Sequence, residues 1–273
     1  MIFKTNIKIL AGVISAMFCG QLFAAENLVY IEQIGSSNNI TIQQVGSSNW
    51  VGGTAVDPAT TVSGARSGTG QSTVYGGTTV LTPATPSDSN YATTTGNNNN
   101  IAITQTGDNN TAQYNITGNR NSYTSTVTGN NNQTKLTVNN SSAVQSGTNV
   151  SVTETISGNN NMIIQDVNST QFTSTTSITG NYNQITSSTT TTGALSSISN
   201  TISGNQNVVN IQQADTGTHT VVLNTTGDYN AISTQQQGST NSTINIDTTG
   251  SNNTITVRSS STTLATPMTA IAR

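Results

Sequence analysis

The side chains able to do acid–base, nucleophilic or metal chemistry are few in this sequence, and their spacing brings none of them together. One histidine, His219, and one cysteine, Cys19, stand among ten carboxylates: Glu26, Glu32, Asp57, Asp88, Asp108, Glu154, Asp166, Asp215, Asp228 and Asp247. Catalysis needs titratable groups that converge, so the pattern predicts neither an enzyme nor a bound cofactor. A calcium site needs several carboxylates at one point. The closely repeated Gly-Gly-x-Gly-x-Asp turns of a calcium-binding β-roll are missing, which argues against a metal. His219 is expected near a turn and in solvent. The basic residues after the first 25 positions, Arg66, Arg120, Lys135, Arg258 and Arg273, are too few and too dispersed for a nucleic-acid footprint.

What the chain has in quantity is amide and hydroxyl chemistry. Only 6% of the 273 residues are charged and 4% aromatic, far from the composition of a cytosolic enzyme. Disordered chains stay soluble through net charge or proline, yet the formal charge here is −3 with four prolines. An order that does not rest on a large apolar core is therefore expected. Stacked strands supply one: every backbone group pairs with the strand above and below, and Asn and Gln side chains form ladders along the stack.

The N-terminus reads as an export leader. Lys4 and Lys8 precede the apolar run Ile9 to Phe18, and Phe23-Ala24-Ala25 offers small residues for cleavage. Residues 1–25 are the expected leader and Glu26 the mature start. Cys19 lies inside it, which leaves the mature chain without a thiol for disulfides or metal. No later run approaches the roughly twenty apolar residues of a membrane helix, so no integral membrane segment is expected after processing.

The elements that must present the amides repeat. Gly35 and Gly46, then Gly96, Gly107, Gly118 and Gly129, stand eleven residues apart, and the beat continues less evenly through Gly147, Gly158, Gly180, Gly193, Gly204, Gly217, Gly227, Gly238 and Gly250. An asparagine follows most of them three residues later: Asn38, Asn49, Asn99, Asn110, Asn121, Asn132, Asn161, Asn183, Asn207, Asn230, Asn241 and Asn253, with Asn27 in the same place ahead of the first. Beyond each asparagine, alternate positions are apolar, as in Ile40 and Ile42 or Ile101 and Ile103, which is the period of a strand. Gly and Asn tolerate positive φ, so Gly-x-x-Asn is expected to reverse the chain between strands.

Two strands and two turns make a coil of about 22 residues, and roughly nine such coils stack by parallel pairing at about 4.8 Å per step. The fold class expected is thus all-β, a parallel β-solenoid of two-strand coils with an amyloid-like cross-β stack over residues 26–258. Residues 53–86, which hold three of the four prolines, read as a loop extruded from one turn with no strand pattern, and Asn139 to Ser146 as a smaller extrusion. The tail at 259–273 loses the markers and is expected to cap, hang free or dock. Trp50, Tyr91, Tyr114, Tyr123, Tyr182 and Tyr229 are expected at turns and strand starts.

Four copies of the repeat resemble the curlin family: Gln33-Ile-Gly35-Ser-Ser-Asn38, Gln44-Val-Gly46-Ser-Ser-Asn49, Gln105-Thr-Gly107-Asp-Asn-Asn110 and Gln236-Gln-Gly238-Ser-Thr-Asn241. Curlins are exported subunits of curli, the extracellular amyloid fibres of Gram-negative bacteria. The resemblance implies a self-polymerising subunit, an outer-membrane secretion pore with assembly factors as partners, and a place in biofilm matrix and adhesion. It assigns the assembly ladder to Gln33, Asn38, Gln44, Asn49, Gln105, Asn110, Gln236 and Asn241, and the turns to Gly35, Gly46, Gly107 and Gly238. Residues 140–226 keep the rhythm but replace much of the glutamine with Ser and Thr. A second class of function fits Thr126-Val-Thr128, Thr173-Ser-Thr175 and Thr189 to Thr192: a soluble solenoid binding ice or polysaccharide, against which the uneven spacing of threonine along the chain argues.

Overall fold

A computed structural model of the chain describes residues 27–52, 65–68, 71–74, 92–139, 149–168, 171–190, 195–214, 216–260 and 268–272. The leader and most of the 53–86 segment lie outside the described residues. Every described element is a strand, and parallel strands stack in about eight turns of a β-solenoid with roughly 23 residues per turn.

Two sheets form the walls. Sheet A runs from β1 (Leu28–Val29) and β2 (Ile31–Ile34) through β4 (Trp50–Val51) and β7 (Ala92–Thr95), then β9 (Thr111–Thr117), β11 (Gln133–Asn139), β13 (Met162–Asn168), β15 (Gln184–Thr190), β17 (Val208–Ala214), β19 (Ala231–Gln237) and β21 (Thr254–Ser260). Sheet B stacks β3 (Asn39–Val45), β8 (Asn100–Thr106), β10 (Ser122–Thr128), β12 (Asn149–Ser157), β14 (Gln171–Thr179), β16 (Leu195–Ser203), β18 (His219–Thr226), β20 (Ser242–Thr249) and β22 (Met268–Ala272). A separate antiparallel hairpin joins β5 (Ala65–Gly68) to β6 (Gln71–Val74).

The strand period decides which side chains meet. On β8, Ile101, Ile103 and Gln105 point inward and are buried, while Asn100 and Thr106 face solvent. Parallel pairing in register carries the same parity up the stack, so inward residues form columns. Ile103, for example, lies beneath Ser125 and then Glu154. The core is a narrow file of Ile, Val and Leu between the sheets, from Val51 to Ile246. No single coil could bury enough apolar surface to fold alone, and each rung is held by its neighbours.

Three expectations need correction. The long interruption, residues 53–91, leaves from within a strand of sheet A and not from a turn. β4 and β7 together make one rung, Leu28 and Val29 pairing with Trp50 and Val51, and Ile31 to Ile34 with Ala92 to Thr95. Nor is the segment without strands, since it contains the β5–β6 hairpin. The tail, expected to cap, hang free or dock, needs none: its strand β22 pairs in parallel with β20 and adds a last rung to sheet B, in keeping with the first of these.

The third correction concerns the turns. In all eight turns from sheet B to sheet A the glycine has φ between 110° and 140°, and the residue two positions later, from Ser48 to Asn252, has φ between 55° and 61°. The left-handed residue is thus the third of Gly-x-x-Asn, and the asparagine itself is not there for its backbone. The third position holds Ser, Asn, Gln and twice Tyr, at Tyr182 and Tyr229. A tyrosine gains nothing from this conformation, and Asn adopts it more readily than any other residue with a side chain except glycine. Tyr229→Asn should raise the unfolding free energy by about 1 kcal/mol. Tyr229 is 40% exposed and little packing is lost. Guanidinium unfolding followed by circular dichroism reads the shift, and a lower midpoint in the variant would contradict this account of the turn.

Candidate functional site: amide ladders and two open ends

The B-to-A turns carry an unbroken file of nine asparagines: Asn27, Asn49, Asn110, Asn132, Asn161, Asn183, Asn207, Asn230 and Asn253. Each one's side-chain carbonyl accepts the backbone N–H of the asparagine above, at 2.9 to 3.0 Å. From Asn49 upward it also accepts that residue's side-chain amide, as Asn110 does from Asn132 at 3.1 Å. The other amide hydrogen goes to the glycine carbonyl of the coil above, as from Asn132 Nδ2 to Gly158 O at 2.7 Å. Asn132, Asn161, Asn183, Asn207 and Asn230 are buried. All the hydrogen-bonding capacity such a side chain brings into the interior is used, which removes the penalty for burying it.

A second file runs beside the first, one residue after the glycine, and points the other way. The backbone N–H of Ser47, Asp108, Asn130, Asn159, Asn181, Asn205 and Asp228 donates to the side chain of the residue above, the last step running from Asp228 to Ser251 Oγ at 3.2 Å. The hydrogen bonds from Ser47 hold the Asp108 carboxyl below its ordinary range. The turn backbones stack too, as Gly158 N on Thr128 O and Asn160 N on Asn130 O, both 2.9 Å. A turn is therefore a third ladder between the sheets, and its polar backbone is paired along the stack axis.

The A-to-B turns hold a shorter file. Asn38 accepts the N–H of Asn99, and Asn99 that of Asn121. Asn121 Oδ1 is then buried with no partner among the described residues, and the next A-to-B connection in the chain is the 140–148 segment. Asn241 accepts the N–H of Thr218 at 3.0 Å in the upper coils. Of the residues implicated from the repeat, Asn49 and Asn110 thus share one file and Asn38 another.

Glutamine makes two separate steps and no continuous ladder. Gln44 Nε2 donates to Gln105 at 2.9 Å on sheet B, near the first end. Gln213 Nε2 donates to Gln236 at 2.8 Å on sheet A, near the last. Between them the Gln105 column continues as Val127, Ile156 and Ile178. Gln33 heads a sheet A column that continues as Thr94 and Ile116. The turn glycines Gly35, Gly46 and Gly107 take φ of 123°, 112° and 110°, and Gly238 takes 130°.

The middle of the core holds polar groups that the repeat did not announce. Glu154 is fully buried, accepting from Tyr123 Oη at 2.9 Å and from Gln165 Nε2 at 2.8 Å. Burial pushes its carboxyl up to about 7 although both bonds favour the charged form. Tyr114, expected near a turn or strand start, sits mid-strand, while Tyr123 lies at the start of its strand as expected; both are buried in the core with ring centroids 6.2 Å apart. His219 is not solvated either. It is fully buried, with Nε2 at 3.0 Å from the Ala214 carbonyl and Nδ1 at 2.8 Å from Ser242 Oγ. A carbonyl only accepts, so Nε2 carries the hydrogen and the serine hydroxyl donates to Nδ1.

Among the described residues nothing covers the two ends of the stack. At one, Val29, Ile31, Ile40 and Ile42 are only partly covered, and at the other Ile255 and Val257 are likewise. Among the described strands, β3 pairs only with β8, and β21 only with β19. The ladder ends there as well: Asn253 donates to Asn230 with no asparagine above it, and Asn27 supports Asn49 with none below, among the described residues. The outer faces differ from each other. On β10, β12, β14 and β16 every outward residue from Ser122 to Thr128, Ser151 to Ser157, Thr173 to Thr179 and Ser197 to Ser203 is Ser or Thr, in register from strand to strand. Sheet A instead places Glu32, Lys135, Asp166 and Arg258 outward. Among the described residues no three potential metal-ligating side chains cluster, and no helix is long and apolar enough to cross a membrane.

Comparison of the chain with protein-family models, with curated proteins and with solved structures finds no match.

Proposed function

We propose that this chain is a secreted structural subunit that stacks end to end into extracellular, curli-like amyloid fibres serving biofilm matrix and adhesion. The observation that carries the reading is the pair of open ends. Among the described residues, each leaves core columns half covered and a row of strand backbone unpaired, which templates another strand. The two ends also fit one another. Following the sheet A register through the stack places Val29 in the same column as Ile255, and Ile31 in that of Val257. Asn27 of one copy set above Asn253 of another repeats the step made at every turn between. The curlin-like copies Gln33 to Asn38, Gln44 to Asn49, Gln105 to Asn110 and Gln236 to Asn241 support the same role. A Gram-negative surface, an outer-membrane pore and assembly factors come with that resemblance.

Protein released from denaturant should form fibres visible by electron microscopy, with reflections near 4.7 and 10 Å. Val257→Lys places a charge at an end column that only a second copy would bury, so the variant should fold and stay monomeric. Wild-type protein that remains monomeric at high concentration, with no such reflections, would refute the reading. The hydroxyl face of sheet B favours a second one, a soluble solenoid that binds ice or polysaccharide; thermal hysteresis without fibres would mark it.

A further inference from the structure

The outer face of sheet B has one composition over most of its height. From β8 to β20 its outward positions carry a single charge, Asp247, and the column Thr106, Thr128, Ser157, Thr179, Ser203, Thr226, Thr249 is hydroxyl throughout. In chain order the interruptions of the repeat fall outside the sheet B strands: 53–91 between β4 and β7 of sheet A, and 140–148, 169–170, 191–194 and 261–267 each between a sheet A strand and the sheet B strand that follows it. Sheet A is unlike it, charged and indented by a groove of about 340 Å³ among Thr186, Asn210, Ser233, Gln235 and Arg258.

We infer that the Ser/Thr face of sheet B is the lateral contact between fibres, occupied by the same face of a second copy. This rests on the fibre reading above. A face that meets its own copy meets its own charges, so a homotypic contact needs a neutral surface, and this is the neutral one. Hydroxyls both donate and accept, and any Ser or Thr can therefore satisfy any other across the contact. Short side chains lose little rotamer freedom and permit the close approach of about 10 Å at which facing sheets pack. Equal rung spacing on both sides lets rows of side chains interdigitate over the whole height, as in a dry zipper. Seven rungs of seven residues span about 23 by 34 Å, or about 800 Å², the area each partner contributes to a stable interface.

Thr126→Lys, Thr155→Lys and Thr201→Lys together place three ammonium groups in one outward column of that face. Wild-type fibres should associate side by side in micrographs and sediment at low speed. The triple variant should give single filaments with the same cross-β reflections, lost from the low-speed pellet and partly returned to it by salt. Thr186→Lys, Asn210→Lys and Ser233→Lys, on sheet A, should leave the bundles intact. Bundles that survive the sheet B lysines, or wild-type fibres that never associate, would overturn this inference alone. So would retention of wild-type fibres on insoluble cellulose that the sheet B lysines abolish, since the face would then belong to a carbohydrate. Absence of fibres from every protein would overturn the fibre reading and this inference with it.

Discussion

The stability of the folded subunit should fall by about 3 kcal/mol as pH rises from about 4.5 to about 7, and Glu154→Gln should abolish most of that fall. Glu154 is fully buried between the sheets, where burial raises its carboxyl from an ordinary 4.5 to about 7. The groups facing it are neutral: Tyr123 and Gln165 donate to its oxygens, Ser125 and Thr176 flank it on the neighbouring strands, and no described cation reaches it. The sign follows from proton counting. Between 4.5 and 7 the folded chain holds a proton on Glu154 that the unfolded chain has released, so stability is full below this window and lost through it. Above 7 both states are ionised and the loss is complete. Asp108 shifts in the opposite sense and acts only below its ordinary 3.8, outside the window. Tyr123 is pushed well above 10 by burial and acts only in strong alkali. Guanidinium midpoints at pH 4.5 and 8 test this. The wild type should be the weaker at pH 8 and the glutamine variant nearly level, and a wild type equally stable at both would exclude a buried, protonating Glu154.

Glu154 also shows what the sequence conceals. The Gly-x-x-Asn beat and the strand period are local, so the two-sheet solenoid and the asparagine file could be read residue by residue. Which inward side chains share a rung depends on how many residues each coil spends between them. The steps of the asparagine file run 22, 61, 22, 29, 22, 24, 23 and 23 residues. That unevenness hid the meeting of Tyr123, Glu154 and Gln165, and the burial of His219 above the longer A-to-B turns. It also made the threonines look out of phase along the chain when they are in register on sheet B. The mid-strand exit at Gly52 was hidden for another reason: β4 and β7 have two and four residues, too short for a period of two to declare itself. Glutamine misled because its strand-end position recurs, but valine, isoleucine and threonine occupy the same column through the centre. The amides that run unbroken are the asparagines, which have the turn glycine above them to bond.

That glycine is the position least tolerant of change. Gly158→Ala should cost about 4 kcal/mol, whereas Gly250→Ala should cost about 1 kcal/mol. Both residues hold a positive φ, 140° and 110°, which strains any side chain. They differ in what stands above. A Cβ on Gly158 would lie 1.8 Å from the Gly180 carbonyl oxygen, and that carbonyl is fixed by Asn161 Nδ2 at 2.8 Å. Gly158's own carbonyl takes Asn132 Nδ2 at 2.7 Å, and its N–H donates to Thr128 at 2.9 Å. The backbone cannot move aside without opening rungs on both sides. Gly250 crowns the same column, accepting from Asn230 below, with no described turn of this kind above it. Its substitution therefore meets the strain of φ without the collision. Unfolding free energies of the two variants, measured on monomer kept from assembling by Val257→Lys, separate these terms. Equal losses would mean that conformational strain alone reserves the position for glycine, and a larger loss at Gly158 that the closeness of stacked coils does.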